Sequence, residues 1–482
     1  MLPLVFPVSS HSQRCGPGST FVAIEGLIDN GTKYIDDALN RGATKIIIAH
    51  NVQLTDALRA RIKRDGIELE HVENPRRALA LLSAQAAGYP AKKLKLIGIT
   101  GTKGKTTTTF ITNTMLQQFG YKTAMISSVY NSIENTILET NMTTPQPDYL
   151  HQFFAQCVHH GIEYVVMETA AQAMTFDRIT GLEFSVVTFM NLEREHGELY
   201  TSMSDYYEAK SNLFNHTGPN TIFIVNADNV YGSNLAETWL KRSIHCKKIS
   251  MHDTNADFFG IFTPSKNQST TWHADIKKKY SAEHVSIDYQ KFYGIFNGYN
   301  IMTAMAIADA CGISLSICAQ ALDKLPSIPG RFERYTLASG AHVIIDYAHT
   351  PASFEALFKT IRPMTHTLIV VFGAGGGKDP IKRPLMGNVS ATYADRVIIT
   401  TDNPRFEDAQ KIITDIVAGI SSDDYKNKVS IILDREEAII EALQNAPKDS
   451  YVLLLGKGPD EYQLVQGQKT FFSEKAIIQH HI

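Results

Sequence analysis

The stretch Gly98-Ile-Thr-Gly-Thr-Lys-Gly-Lys-Thr-Thr107 carries the residue types that hold a phosphate chain. It follows the apolar run Leu94-Lys-Leu-Ile97 and leads into Thr108-Thr-Phe-Ile111, whose apolar spacing is helical. A strand, a glycine-bearing loop and a helix start bring backbone N–H groups and the positive end of a helix dipole to one point, which suits an anion. Gly101 and Gly104, with Thr102 between them, let the backbone turn tightly and approach phosphate oxygens. Lys105 can reach the β- and γ-phosphates, and Thr106 with Thr107 can offer hydroxyls to the nucleotide and to Mg²⁺. The spacing misses G-x-x-x-x-G-K-[ST] from either Gly98 or Gly101, so a solvated turn is the other reading of the loop alone.

The elements that must hold this loop are visible around it. A chain of 482 residues exceeds one core. Residues 1–92 read as a small N-terminal α/β domain, with strands at Thr20-Phe-Val-Ala-Ile and Lys45-Ile-Ile-Ile-Ala and a helix over 34–41. Residues 93–329 read as a central doubly wound domain around the phosphate loop, with strands at 95–100, 123–127, 164–169, 184–190 and 221–225. Helices are expected at 105–119, 149–161 and 202–214, and a peripheral antiparallel part at 251–290. Residues 330–482 read as a Rossmann-like α/β domain with strands at 342–346, 367–372, 395–400, 429–433 and 451–455. These strands end in Asp346-Tyr-Ala-His, Gly373-Ala-Gly-Gly-Gly, Asp402-Asn-Pro-Arg and Gly456-Lys-Gly, where open α/β sheets bind ligands.

Composition excludes several classes. A net charge of −3 gives no electrostatic reason for nucleic acid or an anionic membrane. No apolar run approaches a spanning length, and the N-terminus lacks a signal-peptide pattern. The five scattered cysteines read as reduced thiols of a cytoplasmic protein rather than a metal cluster.

In order along nearly the whole chain, these motifs resemble the Mur ligases, the ATP-dependent amide-forming enzymes of peptidoglycan precursor synthesis. The resemblance rests on Gly98–Thr107, Asn141-Met-Thr-Thr-Pro, Tyr207-Glu-Ala-Lys, Asn226-Ala-Asp, Phe296-Asn-Gly-Tyr-Asn and Pro329-Gly-Arg-Phe-Glu. It continues through Asp346-Tyr-Ala-His-Thr-Pro, Lys382-Arg-Pro-Leu-Met-Gly, Asp402-Asn-Pro-Arg and Gly456-Lys-Gly. It is closest to the UDP-N-acetylmuramoyl-tripeptide synthetase branch, which adds the third residue of the stem peptide.

The resemblance implies ATP and Mg²⁺ as cofactors, an acyl-phosphate mechanism, and small-molecule partners: a UDP-muramoyl peptide and an amino acid. It implies a cytoplasmic monomer with no nucleic-acid or membrane partner. Lys105 would hold phosphates; Glu168, His196, Thr106 and a carbamylated Lys210 would serve the metal. Asn297, Asn300, Arg331 and Asp346 match positions on the nucleotide; Ser12, Thr143, Thr144, Gln172 and Arg178 match the muramoyl-peptide side. Arg383 and Arg405 would clamp the distal carboxylate of meso-diaminopimelate, favoured over L-lysine, with Asp402, Asn403, Gly456 and Asp460 around the amino acid. Each has a plainer reading: helix capping for the asparagines, a turn for Ser12 and Thr143-Thr144, a helix start for Arg405, and solvated side chains for Glu168, His196 and Lys210.

Some positions depart from the family. Glu-Val-Ser-Ser-His becomes Glu168-Thr-Ala-Ala-Gln172, the second histidine of Asp-His-Leu-Asp-Tyr-His becomes Tyr200, and Gly-Lys-Gly-His-Glu becomes Gly456-Lys-Gly-Pro-Asp460. Substrate positions have drifted more than ATP positions. A paralogous ligase with another carboxylate acceptor, resembling folylpolyglutamate synthetase or a secondary-metabolite enzyme, is therefore a second reading, and an inactive ATP-binding regulatory protein a third.

Overall fold

Short apolar runs separated by amphipathic helices gather into three sheets and a hairpin in the computed structural model, which describes residues 2–26, 29–195, 197, 199–241, 245–265 and 271–482. The first sheet is parallel, in the order β1 (Val8–Ser9), β2 (Thr20–Val22), β3 (Lys45–Ala49), β4 (Glu68–Val72). Two of these strands escape the sequence reading. β1 is only two residues long, and Glu68-Leu-Glu-His-Val is an edge strand with polar side chains. The helix Pro75–Ala86 lies against the helix Pro147–His159 of the next unit. There Asp148 accepts from the Ser9 hydroxyl at 3.0 Å and the Ser10 N–H at 2.9 Å, tying the first sheet to the second.

The second sheet has eleven strands: β5 (Lys95–Thr100), β6 (Thr123–Ile126), β7 (Asn131–Ile133), β8 (Thr136–Leu138), β9 (Tyr164–Glu168), β10 (Phe184–Phe189), β11 (Thr217–Asn226), β12 (Cys246–Ser250), β13 (Phe258–Pro264), β14 (Trp272–Lys278) and β15 (His284–Tyr289). Its order is β15-β14-β13-β12-β11-β10-β5-β9-β6-β7-β8. β5 lies between β9 and β10, parallel to both, so the winding reverses at its carboxyl end and opens a crevice there. The polar 251–290 segment supplies the antiparallel strands β13 to β15, which extend the same sheet at its edge.

The helix Lys105–Phe119 follows β5. Its run Thr106-Thr-Thr-Thr109 has poor helix propensity. Burial against the helix Ile295–Ala310 and capping by left-handed Gly104 and Gly120 override that preference.

The third sheet runs β16 (Glu333–Thr336), β17 (His342–Asp346), β21 (Tyr451–Leu455), β18 (Leu368–Phe372), β19 (Arg396–Ile399), β20 (Val429–Ile431), with only β16 antiparallel. The hairpin is β22 (Tyr462–Val465) with β23 (Gln468–Phe471). One apolar cluster passes without a break from Ile97 and Phe110 through Tyr293 and Phe332 to Leu453 and Leu455, so the second and third sheets share a core. No helix among the described residues is long and apolar enough to cross a membrane.

The connection between these two sheets turns at Gly330, with φ +65°, and continues through left-handed Phe332. A Cβ on Gly330 would lie 2.2 Å from the Pro459 nitrogen and 2.3 Å from the Gly458 carbonyl carbon. Both the dihedral and the backbone contact forbid a side chain. Gly330→Ala should therefore destabilise the protein by about 1–3 kcal/mol. Denaturant unfolding checks this, and an unchanged midpoint and slope would refute it.

Candidate active site

A cleft of about 1590 Å³ lies between the carboxyl ends of the second and third sheets. Its floor is the loop after β5. A side chain at Gly104 would be strained by its left-handed backbone (φ +85°), and its Cβ would meet the Asn300 Oδ1 at 2.3 Å. The Lys105 Nζ folds back onto the loop and donates to the carbonyls of Gly101 (2.8 Å) and Thr102 (3.0 Å). Lys210, buried on the helix Met203–Ser211, donates to the same Gly101 carbonyl at 2.9 Å and lies over the Tyr206 ring. Burial lowers the pKa of Lys105. Burial, and then the charge of Lys105, hold Lys210 well below the usual lysine value.

Glu168, at the end of β9, is buried beside this loop. Its Oε1 accepts from the Ser128 N–H at 2.8 Å and the Ser128 hydroxyl at 3.3 Å. The Ser128 hydroxyl is 2.9 Å from that of Thr106, and Thr106 in turn accepts from Arg331 at 3.3 Å. Thr107 is buried in the same helical turn. Carboxylate and hydroxyl oxygens are the donors a hard divalent cation takes. Among the described residues no three His, Cys, Asp or Glu side chains gather into a ligand set. His196 lies outside the described residues.

Sequence reasoning missed Ser128 and Asn191. Asn191 follows β10 and pairs with the backbone of Lys103 in both directions, accepting at 2.9 Å and donating at 3.2 Å. Lys103 also pairs with Glu193. Position just beyond a strand's carboxyl end was the signal available for both residues.

The nucleotide-side residues come from two sheets. Asn297 and Asn300 are buried on one face of the helix Ile295–Ala310, and the Asn300 amide donates to Asn297 at 2.8 Å. Neither caps the helix; Gly294 occupies the N-cap. Arg331 stacks on Tyr347 with 4.6 Å to the ring centroid. Asp346 accepts from the Phe332 and Ala348 N–H groups, each at 2.8 Å, while burial raises its pKa. His349, quoted in the Asp346-Tyr-Ala-His motif but given no role from sequence, meets Glu195 across the cleft at 2.9 Å.

The far wall holds Asp402, Asn403, Arg405, Gly456 and Asp460. Arg405 does not start a helix. It is left-handed (φ +57°), bridges to Val465, and its Nη1 donates to the Gly376 carbonyl at 2.9 Å. Asn403 is tied inward, its Oδ1 accepting from Lys457 (3.2 Å) and the Leu464 N–H (2.9 Å). Burial raises the pKa of Asp460.

The expected clamp of Arg383 with Arg405 is not formed. The Arg383 guanidinium is 1% exposed, bonded to both oxygens of Glu407 at 2.7 Å and to Asp415 at 2.8 Å, so it is spent inside the third unit. Lys378 and Arg405 meet at the glycine turn that Arg383 also touches, its Nη2 3.4 Å from the Gly375 carbonyl. A Cβ on Gly375 would lie 2.8 Å from the Arg405 Nη1 and 3.8 Å from the Lys378 Cγ, and both cations line the cleft. The sequence reading named the Gly373-Ala-Gly-Gly-Gly strand end but not Lys378 beside it.

On the acceptor side, Thr143 lines the cleft, but Thr144 does not present its hydroxyl there. That hydroxyl is fully buried, donating to the Glu168 carbonyl (2.9 Å) and accepting from the Ala170 N–H (3.0 Å). Ser12 is buried in the first unit, bonded to Asp37, and is not among the cleft's lining residues. Gln172 sits half-buried on the short helix Ala171–Thr175. Arg178 donates to the Thr144 carbonyl at 2.8 Å, and burial brings its pKa down to about 10. Tyr200 hydrogen-bonds the Thr175 hydroxyl at 2.9 Å.

Comparison with known proteins agrees with this geometry. Residues 99–308 match the Mur ligase middle domain, and residues 330–458 match the Mur ligase, glutamate ligase domain. The chain is 34% identical over 474 residues to the Clostridium acetobutylicum "UDP-N-acetylmuramoyl-L-alanyl-D-glutamate--2,6-diaminopimelate ligase 1", covering 98% of this chain and 93% of that one. A solved UDP-N-acetylmuramoyl-L-alanyl-D-glutamate--2,6-diaminopimelate ligase superposes with TM-score 0.65 at 24% identity, over 99% of this chain and 94% of the other. The MurF ligase of Thermotoga maritima in complex with ADP superposes with TM-score 0.66 at 17% identity, over 94% of each chain.

The Arg383 pair makes a pH-dependent prediction. Its hydrogen bonds to Arg383 draw the Glu407 carboxyl down from 4.5 to about 2. The stabilisation is therefore complete above about pH 4.5 and disappears as pH falls through about 2. Glu407→Gln should lose about 1.5–3 kcal/mol at neutral pH. In urea titrations the gap from wild type should close across that acid window. A gap that stays constant with pH would show that the ionised carboxylate contributes nothing.

Proposed function

The chain belongs to the Mur ligase family, and on that premise we propose that it is an ATP-dependent, ADP-forming ligase that adds meso-diaminopimelate to UDP-N-acetylmuramoyl-L-Ala-D-Glu in peptidoglycan precursor synthesis. The observation that carries the proposal is a cleft lined at one end by the phosphate loop of the second sheet and at the other by Asp402, Asn403 and Arg405 of the third. Whole-length similarity to the diaminopimelate ligase of C. acetobutylicum supports the choice of substrates.

In this reading the γ-phosphoryl group of ATP passes to the D-Glu carboxylate, ADP leaves, the amine attacks the acyl phosphate, and inorganic phosphate departs. Lys105 leaves the Gly101 and Thr102 carbonyls for phosphate oxygens, which compensate its buried charge better than carbonyls do. Asn191 fixes the loop through the Lys103 backbone, and Asn300, held by Asn297, backs the following helix through Thr108. Arg331 and Asp346 bring the third unit onto the nucleotide.

Mg²⁺, when bound, would screen the phosphates and acyl oxygens. Thr106, Glu168 and a carbamylated Lys210 are the residues proposed to hold it, with His196 assigned from the family motif. The lowered pKa of Lys210 favours the neutral amine that reacts with CO₂. Arg405 presents a positive charge to the distal carboxylate, a group L-lysine lacks, on a wall of the cleft that Lys378 also lines. Monomeric, cytoplasmic operation completes the reading.

A changed acceptor is favoured by one observation: Ala170 and Ala171 offer no hydroxyls where the family carries two serines. Phosphate release with ATP, Mg²⁺ and the UDP-muramoyl dipeptide discriminates between the two readings. Release should require meso-diaminopimelate and be far weaker with L-lysine. ATP binding without release for either diamino acid would overturn the assigned acceptor. Lys105→Ala should reduce release by about 100-fold or more, and undiminished turnover would remove the phosphate-loop assignment. Arg405→Ala should raise KM for meso-diaminopimelate by about tenfold or more, the loss of a charge-assisted pair. An unchanged KM would place the carboxylate elsewhere.

A further inference from the structure

Behind the amino-acid side of the cleft lies an ion pair that no step above uses. Arg435 opens the helix Arg435–Gln444 and Glu474 opens the helix Glu474–Gln479, with side chains 0% and 2% exposed. The Arg435 Nε and Nη2 donate to one Glu474 oxygen at 2.9 and 2.7 Å. The same guanidinium donates from Nη1 to the Thr401 carbonyl at 3.1 Å and from Nη2 to the Leu455 carbonyl at 2.9 Å.

Those two carbonyls stand at consequential places. Thr401 immediately precedes Asp402-Asn-Pro-Arg405, and Leu455 ends β21 immediately before Gly456. β19 and β21 are not neighbours, since β18 lies between them. One side chain therefore ties the loop ends of two strands across a third. The crossing is close: a Cβ on Gly373, just past β18, would lie 2.3 Å from the Thr400 carbonyl oxygen. In front of the brace, fully buried Lys457 joins the same two loops by donating to Asn403 at 3.2 Å.

We propose that Arg435, held by Glu474, is a positioning residue that sets the spacing between the 402–405 and 456–460 loops and thereby the fit of the incoming amino acid. Three acceptors on separate segments require a planar fork with fixed donor directions; a lysine ammonium, a point charge on a flexible stem, cannot reproduce it. The kinetic arm of the test rests on the amide-ligase reading above.

Replacing a buried ion pair by apolar residues of similar volume is often neutral for stability, which allows position to be separated from folding. The variants are Arg435→Lys and the double change Arg435→Met with Glu474→Leu, measured by amide hydrogen exchange, thermal melting and steady-state kinetics. The double variant should melt near the wild type yet exchange faster in 401–405 and 456–460. Its KM for meso-diaminopimelate should rise about tenfold or more, with KM for ATP within about twofold. Arg435→Lys should move the same two readouts in the same direction. A folded double variant with wild-type exchange in both loops and wild-type KM for the amino acid would overturn the brace, as would an equal rise in every KM. If the wild type turned over no diamino acid, the reading under Proposed function would fall, and loop exchange alone would still decide the brace.

Discussion

Two ammonium groups, the half-buried Lys105 and the fully buried Lys210, meet on one carbonyl oxygen, that of Gly101, and the rest of the cleft is arranged around that crowding. Burying a cation is costly unless an opposite charge or several acceptors replace its water. Lys105 receives two backbone carbonyls and Lys210 receives one, with Glu168 and Glu195 close enough to favour the charge on Lys105. The compensation is incomplete, and burial pulls both lysines below their ordinary pKa. A triphosphate brings the charge that is missing. Much of the electrostatic work of holding a polyanion is thus done at folding, before any ligand arrives.

The strand ends supply the rigidity this requires. β5, β9 and β10 end at Thr100, Glu168 and Phe189, so Glu168 sits on the last paired position of its strand while the loop and Asn191 begin one and two residues past theirs. The third sheet uses the same construction, with Asp346 ending β17 and Gly456 following β21. A continuous apolar core joins the two sheets, while Arg331–Thr106 and His349–Glu195 join them over polar ground. Two of the departures from the family pattern have substitute interactions. Tyr200 stands in place of a histidine and finds Thr175, and Asp460 lies half-buried near Lys457 in place of a longer glutamate.

Local chemistry made much of the architecture legible. Buried parallel strands read as apolar runs because both faces are covered, and the phosphate loop read as such because strand, glycines, lysine and helix start are contiguous. β1 and β4 did not, since one is two residues long and the other carries edge-strand polarity. Arg383 and Lys378 show the other limit. Both are cations a few residues apart near a glycine turn, and nothing in their spacing says that Glu407 and Asp415 will fold back onto Arg383. Thr144 is the same case, its hydroxyl tied to the backbone around Glu168 rather than turned to the cleft.

The sequence by itself determined the buried parallel strands around the cleft, the phosphate loop and membership of a ligase family, because these depend on neighbours along the chain. Tertiary structure decided which charges remain available to a ligand. Ion pairs such as Arg383 with Glu407 and Arg435 with Glu474 join residues 24 and 39 positions apart. The placement of Lys210 on Gly101 joins residues 109 positions apart. Whether a cation is spent inside the fold or left facing the cleft is set by which distant carboxylate reaches it first in the packed state, and residue type alone carries no record of that.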